Sequence, residues 1–332
     1  MENLSRAETD NRVTVVIPNY NGTAYLKECL GSLLAGNAPA KVIVVDNGST
    51  DGSVELLQGL CASNDKIEPV FLSENTGFCH AVNVGILRAD TEFVFLLNND
   101  TIVEADCLSH LVKVLDENKK NFSAAAKLIN MHFPEKLDDA GDFYSALGWA
   151  FARGKDKPAD KYEKKDRIFA SCGAAVLYRK EILDEIGLFD ELHFAYLEDI
   201  DIGYRANIAG YRNVFVPEAV VYHAGSGVSG SRHNAFKVDL SAKNSVYLVA
   251  KNMPFLQILL NLPFLLAGYL IKGLFFLKKG LFGVYVKGLK KGFSLSCSDK
   301  GRQNKVPFCF KNLRNYIYIQ WELWLGIFRR FF

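Results

Sequence analysis

Four short runs rich in branched and aromatic apolar residues punctuate the first 100 positions, and each stops abruptly at a polar cluster. They read "RVTVVIP" (12–18), "KVIVVD" (41–46), "IEPVFLS" (67–73) and "EFVFLLNND" (92–100). Continuous apolar runs of this length belong to strands buried on both faces of a parallel sheet. Helical patterns separate them. "TAYLKECLGSLLAG" spaces Leu26, Cys29, Leu30, Leu33 and Leu34 along one helix face, with Thr23 as N-cap and Gly36 as stop. "VELLQGLCAS", the segment after "NTGF", and "EADCLSHLVKVLDEN" supply three more helices. Strict alternation at this spacing predicts a doubly wound, Rossmann-like α/β sheet. Such sheets bind ligands at the carboxyl ends of their strands, where the strand order reverses.

The strand ends therefore carry the chemical information. They are Pro18-Asn19-Tyr20-Asn21, Asp46-Asn47, Asn75-Thr76-Gly77 and Asn98-Asn99-Asp100. Each alone is ordinary turn composition; four in succession point to one ligand. A dinucleotide fingerprint is absent, because the first turn, "PNYNGTAY", holds one glycine, and no phosphate-loop lysine motif follows. A phosphate bound here would need a divalent cation to help neutralise it.

A second acidic cluster, "LEDID", places Glu198, Asp199 and Asp201 at a helix start, where the dipole favours negative charge, with Arg205 four residues beyond Asp201. Before it, "FASCGAAVLYRKEIL" has small residues, Ser171, Cys172, Gly173 and Ala174, that allow close backbone approach. Between residues 131 and 168 the pattern weakens. Its most charged part, "GKDKPADKYEKKDR", reads as a solvated surface loop.

Charge divides the chain at residue 250. Residues 1–250 hold 25 Lys and Arg against 35 Asp and Glu; residues 251–332 hold 14 against 2, a local net charge of +12. The expected organisation is a catalytic domain over 1–250 and a basic, apolar helical region over 251–332. "MPFLQILLNLPFLLAGYLI" (253–271) is free of charge and just long enough to span a bilayer, but Pro254 and Pro263 interrupt it. Lysines at 272, 278, 279, 287, 290 and 291 then interleave with Leu, Phe, Val and Tyr, and the end carries Trp321, Trp324 and terminal aromatics. Three readings stand: packing on the enzyme or on a second subunit, attachment in the plane of an anionic membrane, or a span. No nucleic-acid motif accompanies this charge. Seven cysteines without C-x-x-C spacing suggest neither zinc nor disulfides, which fits a reducing cytosol, and the N-terminus lacks the apolar core of a secretory signal.

Taken in order, "VVIPNYNG", "VIVVDNGSTDGS", "NTGFCHAVNVGI", "LLNNDT" and "YLEDIDIGYRANIAGY" resemble the inverting family 2 glycosyltransferases of GT-A fold over residues 12–250, most nearly the bacterial rhamnosyltransferase-like subgroup. The resemblance implies that Asp46 reads the nucleotide base. Pro18, Tyr20, Asn21 and Asn47 would line its pocket, and Asn75, Gly77 and Asn83 would pack beside nucleotide and sugar. Asp100 resembles the metal-binding Asp of D-x-D, with His223 as a further ligand for Mg²⁺ or Mn²⁺. Asn98 stands where many relatives carry the first Asp of that motif, and Asn98 and Asn99 would contact sugar or diphosphate. Asp199 resembles the catalytic base, Glu198 would orient acceptor or base, and Cys172 and Gly173 would border the acceptor. The implied partners are a nucleoside diphosphate sugar, with dTDP-rhamnose favoured over UDP-galactofuranose, UDP-N-acetylglucosamine or UDP-glucose, and a glycan or lipid-linked acceptor at the cytoplasmic membrane face. A scaffold that binds nucleotide sugars without turnover is the alternative.

Overall fold

The computed structural model describes residues 11–37, 39–225 and 234–329. The polar N-terminal stretch, the Ser-Gly segment after His223 and the last aromatics lie outside the described residues. The alternating half is built as β1 (Val13–Asn19), α1 (Thr23–Gly36), β2 (Lys41–Asp46), α2 (Ser53–Ser63), β3 (Ile67–Phe71), α3 (Phe78–Arg88) and β4 (Phe93–Leu97). A short β5 (Thr101–Val103), α4 (Cys107–Glu117) and the long β6 (Asn121–Asn130) follow. Next come β7 (Leu137–Asp139), β8 (Asp142–Tyr144), β9 (Ala150–Ala152), β10 (Asp166–Ile168), β11 (Ala175–Arg179), α5 (Lys180–Ile186), α6 (Glu198–Ala209) and β12 (Arg212–His223). Helices α7 (Ala235–Asn252), α8 (Phe255–Lys278), α9 (Phe282–Cys297), α10 (Asp299–Gln303) and α11 (Leu313–Arg329) complete the chain.

The main sheet runs β10-β12-β6-β11-β4-β1-β2-β3. Strands β1 to β4 are mutually parallel, while β11 lies antiparallel between β4 and β6. Strand order reverses between β1 and β4, since β2 and β3 extend from one side of β1 and β4 pairs on the other. All five residues of β4, Phe93 to Leu97, are fully buried, and each such side chain contributes about 1.5–3 kcal/mol. A central strand of this kind fixes the switch point.

Several local expectations are corrected. The strand β1 continues through Pro18 to Asn19, because at its carboxyl end Pro18 still holds register opposite Val45. Thr23 does not cap its own helix. Asp51, from the turn after β2, accepts from the Thr23 backbone N–H at 3.0 Å, and the Thr23 hydroxyl donates to the Asp51 carbonyl at 2.9 Å, so two neighbouring strand ends are tied together. Pro263 does not divide the apolar tail, and α8 runs unbroken through it. A proline deletes one helical hydrogen bond, and protein contacts on both sides of it, from Gln257, Asn261, Leu265 and Gly268, hold the helix together.

Residues 137–147, where the sequence pattern weakens, are buried throughout, and the charged stretch beyond them is exposed over much of its length, as a solvated loop is. No linker falls at residue 250, since α7 passes through it to Asn252. The terminal helices share a core with β8, α6 and α7, where Tyr144, Phe169, Tyr204 and Leu248 pack with Leu265, Tyr316, Ile319 and Leu323.

Candidate active site

A cleft of about 860 Å³ opens at the carboxyl ends of β1 and β4. Of the residues singled out from sequence, Pro18, Tyr20, Asn47, Asn75, Asn98, Asn99, Asp100, Cys172, Gly173, Glu198, Asp199 and His223 line it. The ends of β1, β4 and β12, the turns after β2 and β3, the approach to β11 and the starts of α6 and α7 thus meet at the cleft.

The wall at the ends of β1, β2 and β4 is stiffened by short amides. Asn99 Nδ2 donates to Asn19 Oδ1 at 2.7 Å, and Asn19 Nδ2 donates to Asp46 Oδ2 at 2.8 Å, while Ser49 N donates to Asp46 Oδ1 at 2.9 Å. Asp46 is therefore buried within the wall, with both oxygens engaged, and does not line the cleft as the sequence led us to expect. Its partner Asn19, which does line it, is the residue the motif reading passed over. Asn47 donates to Asn75 Oδ1 (3.1 Å) and to the Gly77 carbonyl (3.2 Å), fixing the turn before α3.

Three other expected contacts are displaced. Asn21 accepts from Thr50 N at 2.8 Å and belongs to the same loop tie as Asp51. Gly77, at φ 91°, sits where a Cβ would come 2.6 Å from the Phe194 ring, so it permits a close approach rather than lining the cleft. Asn83 is turned away from the cleft. It donates to the Phe189 carbonyl (2.8 Å) and Glu191 Oε1 (3.0 Å), anchoring the segment that leads to the acidic helix.

The Asp100 pair forms as the sequence implied. In the β12–β5 ladder His223 stands opposite Thr101, which brings its Nε2 to 3.3 Å from Asp100 Oδ1. His223 Nδ1 lies 2.8 Å from Asp138 Oδ2, and Asp138 in turn pairs with Lys155. Burial opposes a charge on the imidazole, but its hydrogen bonds to Asp100 and Asp138 outweigh this and raise its pKa to about 9. A carboxylate oxygen and an imidazole nitrogen facing each other at the cleft wall, with the other ring nitrogen held by a second carboxylate, are a fitting donor set for a hard divalent cation.

The second cluster is richer in acids than the sequence showed. β7 is a three-residue strand, so adjacent side chains point oppositely. Asp138 turns to His223, whereas Asp139 joins Asp142 and Cys172, whose ligand atoms lie within 4.8 Å of one another. Asp142 Oδ2 is buried with no N–H or O–H donor, and the groups it meets are the Asp199 and Asp139 carboxylates. Two carboxyls can share a hydrogen bond only if one is protonated. Burial and the charges of Asp139 and Asp199 push Asp142 well above its usual range, which favours the proton on Asp142. Asp199 is raised by burial, an effect opposed by the Ile200 N–H, which donates to its Oδ1 at 2.7 Å, and by Asp142.

Burial also raises Asp139 to about 7, and burial with the Asp199 charge raises Glu198 to about 8. The Cys172 thiol is pushed up by burial and then by Asp139, Asp142 and Asp199. That is the reverse of what a thiolate nucleophile or ligand needs, so packing accounts for Cys172.

The sequence missed what holds Asp199 in place. The "HFAY" approach carries three non-glycine residues at positive φ, Phe194 (65°), Tyr196 (72°) and Leu197 (66°). Asn244 of α7 donates to the carbonyls of His193, Ala195 and Tyr196 at 2.7–2.9 Å, and Lys243 donates to the Leu192 carbonyl at 2.8 Å. Eight residues on, Lys251 bridges Asp190 and Asp201, both at 2.8 Å, and Asn252 donates to Asp201 at 2.8 Å. Arg205 pairs with Asp201 at 3.0 Å as its spacing predicts. The signal was present as a repeated Lys-Asn pair, 243–244 and 251–252, at a spacing that returns to the same side of a helix.

Comparison with known proteins agrees with this geometry. A family model described as "Glycosyl transferase family 2" matches residues 14–187. A poly-β-1,6-N-acetyl-D-glucosamine synthase of Staphylococcus aureus (strain COL) is 25% identical over 215 residues, covering 63% of this chain and 49% of the relative. The chain thus spans about half the length of the curated relatives it matches. Among solved structures, the mannosyltransferase PcManGT from Pyrobaculum calidifontis, in complex with GDP-Man and Mn²⁺, superposes with a TM-score of 0.52 at 18% identity, covering 95% of this chain and 85% of that one. S. aureus TarS 1-349 in complex with UDP-GlcNAc gives 0.52 at 16% identity, covering 96% and 87%. These likenesses show the GT-A fold. With the family model spanning more than half of its length, the chain belongs to glycosyl transferase family 2.

Proposed function

We propose that this protein transfers a sugar from a nucleoside diphosphate donor to a glycan or lipid-linked glycan hydroxyl, with inversion, by a single displacement. The observation that carries the reading is the meeting, in one cleft at the switch point, of the Asp100–His223 pair and the helix-borne Asp199. Asp100 and His223 would hold Mg²⁺ or Mn²⁺, which would supply positive charge to the leaving diphosphate. Asp138 keeps His223 oriented. Asn98 and Asn99 offer amide donors beside Asp100, and Tyr20 and Asn75 border the same wall.

Asp199 takes the acceptor hydroxyl proton as the oxygen attacks the anomeric carbon. Its orientation is set by the Ile200 N–H and by protonated Asp142, and burial raises its basicity. Glu198, adjacent and lining the cleft, is placed to receive a hydroxyl of the acceptor.

For the donor we favour UDP-N-acetylglucosamine. The S. aureus synthase is named for N-acetylglucosamine and the TarS complex holds UDP-GlcNAc, whereas the earlier preference for dTDP-rhamnose rests on motif likeness alone. Product formation from a panel of UDP-, GDP- and dTDP-sugars, with and without Mn²⁺, tests the reading. Asp199→Asn is expected to lower turnover on the order of 10²–10⁴-fold while keeping nucleotide binding. Asp100→Ala is expected to remove the Mn²⁺ dependence of nucleotide binding seen by calorimetry. Undiminished transfer by folded Asp199→Asn would sink the base assignment, and metal-independent binding without transfer would favour a scaffold.

A further inference from the structure

Helix α8 has its polarity reversed relative to a helix packed on a soluble core. The residues it turns to the protein are Gln257, Asn261, Leu265, Gly268 and Gly273. The amides are satisfied there: the Tyr204 hydroxyl donates to Gln257 Oε1 at 2.8 Å, and Asn261 and Gln320 exchange two hydrogen bonds of 2.8 Å. The opposite side carries Leu256, Leu259, Leu266, Leu270 and Leu274, each more than half exposed. Among the described residues this is the one helix long and apolar enough to cross a membrane. A stripe running the length of a 24-residue helix, about 36 Å, exceeds what monomeric proteins ordinarily leave in water.

The contacts of α8 decide how such a helix meets lipid. It is fastened to the folded domain near its start by Gln257, at its middle by the Trp149 indole N–H, which donates to the Gly268 carbonyl at 3.2 Å, and by the Tyr269 hydroxyl, which donates to the Ser245 carbonyl at 3.2 Å. A helix bound sideways along a charged catalytic domain cannot cross a bilayer without taking that domain with it. Lys278 at its end and Lys287 and Lys290 on α9 are exposed, within a region of net charge +12.

We infer that the outer face of α8, flanked by α9 and α11, lies in the plane of an anionic lipid bilayer. Leucines enter the acyl boundary and lysines remain at the phosphate level. Tyr285 of α9 packs on Val238 and Ala242 of α7, whose first turn carries the cleft residues Phe236 and Lys237. The α8–α9 pair thus rests on the helix whose start borders the cleft, and a lipid-carried acceptor would be presented from that side. That consequence, unlike the lipid contact itself, rests on the transferase reading.

Flotation of the full chain with phosphatidylcholine vesicles, with and without phosphatidylglycerol, tests the inference. The protein should float with the anionic vesicles, and Leu259→Glu with Leu266→Glu should abolish this while Mn²⁺-dependent UDP binding persists. Lys278→Glu with Lys287→Glu, away from any buried contact, should weaken flotation by about tenfold or more and serves if the first pair disturbs folding. Thiols placed at Lys305, exposed beside the start of α8, and at Lys279, at its end, read by mass spectrometry, should both react with an impermeant maleimide outside preformed vesicles. Protection of one end alone would mean a span. Failure to float with anionic vesicles would overturn the inference, as would a stable dimer, dispersed by the leucine variants, that ignores vesicles. UDP binding without flotation would refute the lipid contact alone, whereas flotation without UDP binding or transfer would refute the enzymatic reading alone.

Discussion

At the scale of single residues, the site works by dividing protons unequally among crowded acids. Burial and the neighbouring charges hold Asp142 well above the usual carboxylate range, while the Ile200 N–H and Asp142 oppose the rise that burial imposes on Asp199. Asp142→Asn retains a donor toward Asp199 and should keep kcat within about tenfold, whereas Asp142→Ala should lower it about a hundredfold, measured at saturating donor. Glu198 supplies a stability test. Its pKa rises from near 4.5 to about 8, burial being the larger cause and the Asp199 charge the next. The folded state therefore binds the proton more tightly, and the stability this gives is full below about pH 4.5 and lost as pH rises toward 8. Glu198→Gln should melt with wild type near pH 4 and above it at pH 8, by on the order of a few kcal/mol in urea titrations. The three acids of "LEDID" were legible from sequence, but Asp139 and Asp142 were not. They come from a region without periodicity, and only tertiary folding brings them against Asp199.

At the scale of elements, α7 is the part that makes the acidic helix usable. Three consecutive-turn residues at positive φ carry strain of about 1–3 kcal/mol each, and the Asn244 and Lys243 hydrogen bonds offset it. Lys251 is buried between Asp190 and Asp201. Lys251→Met would leave both carboxylates short of a counter-charge and should destabilise the protein by about 3–5 kcal/mol in denaturant titrations. Loss of transfer at temperatures where most of the chain is still folded should accompany it, because the loop before Asp199 is what those carboxylates position. The strand and helix order of the first half was readable because buried strands and amphipathic helices have different periods. The clamp was not, since its lysines and asparagines look like ordinary surface composition until α7 is packed.

At the scale of the molecule, the terminal helices are packed into the folded body through a core shared with β8, α6 and α7. Leu265, Tyr316, Ile319 and Leu323 complete a cluster begun by Tyr144, Phe169 and Tyr204, and the Lys251 bridge crosses the expected domain boundary. Calorimetry of the full chain should show one unfolding transition. A chain ending at residue 250 should fail to reach a monodisperse folded state, because it uncovers that cluster and deprives Asp190 and Asp201 of Lys251.

Legible in one dimension were the doubly wound half, the polar strand ends, the motif order that singled out Asp100, Asp199 and His223, and the basic, apolar character of the tail. These follow from local periodicity and motif order, which survive in one dimension. Tertiary structure alone decided that Asp46 and Asn83 serve the framework, that Asp138 orients His223, that Asp142 partners Asp199, and that α8 lies flat on the enzyme with its leucines outward. Each of these depends on which side chains meet across long separations in the chain, and burial, not pattern, sets their charge and their role.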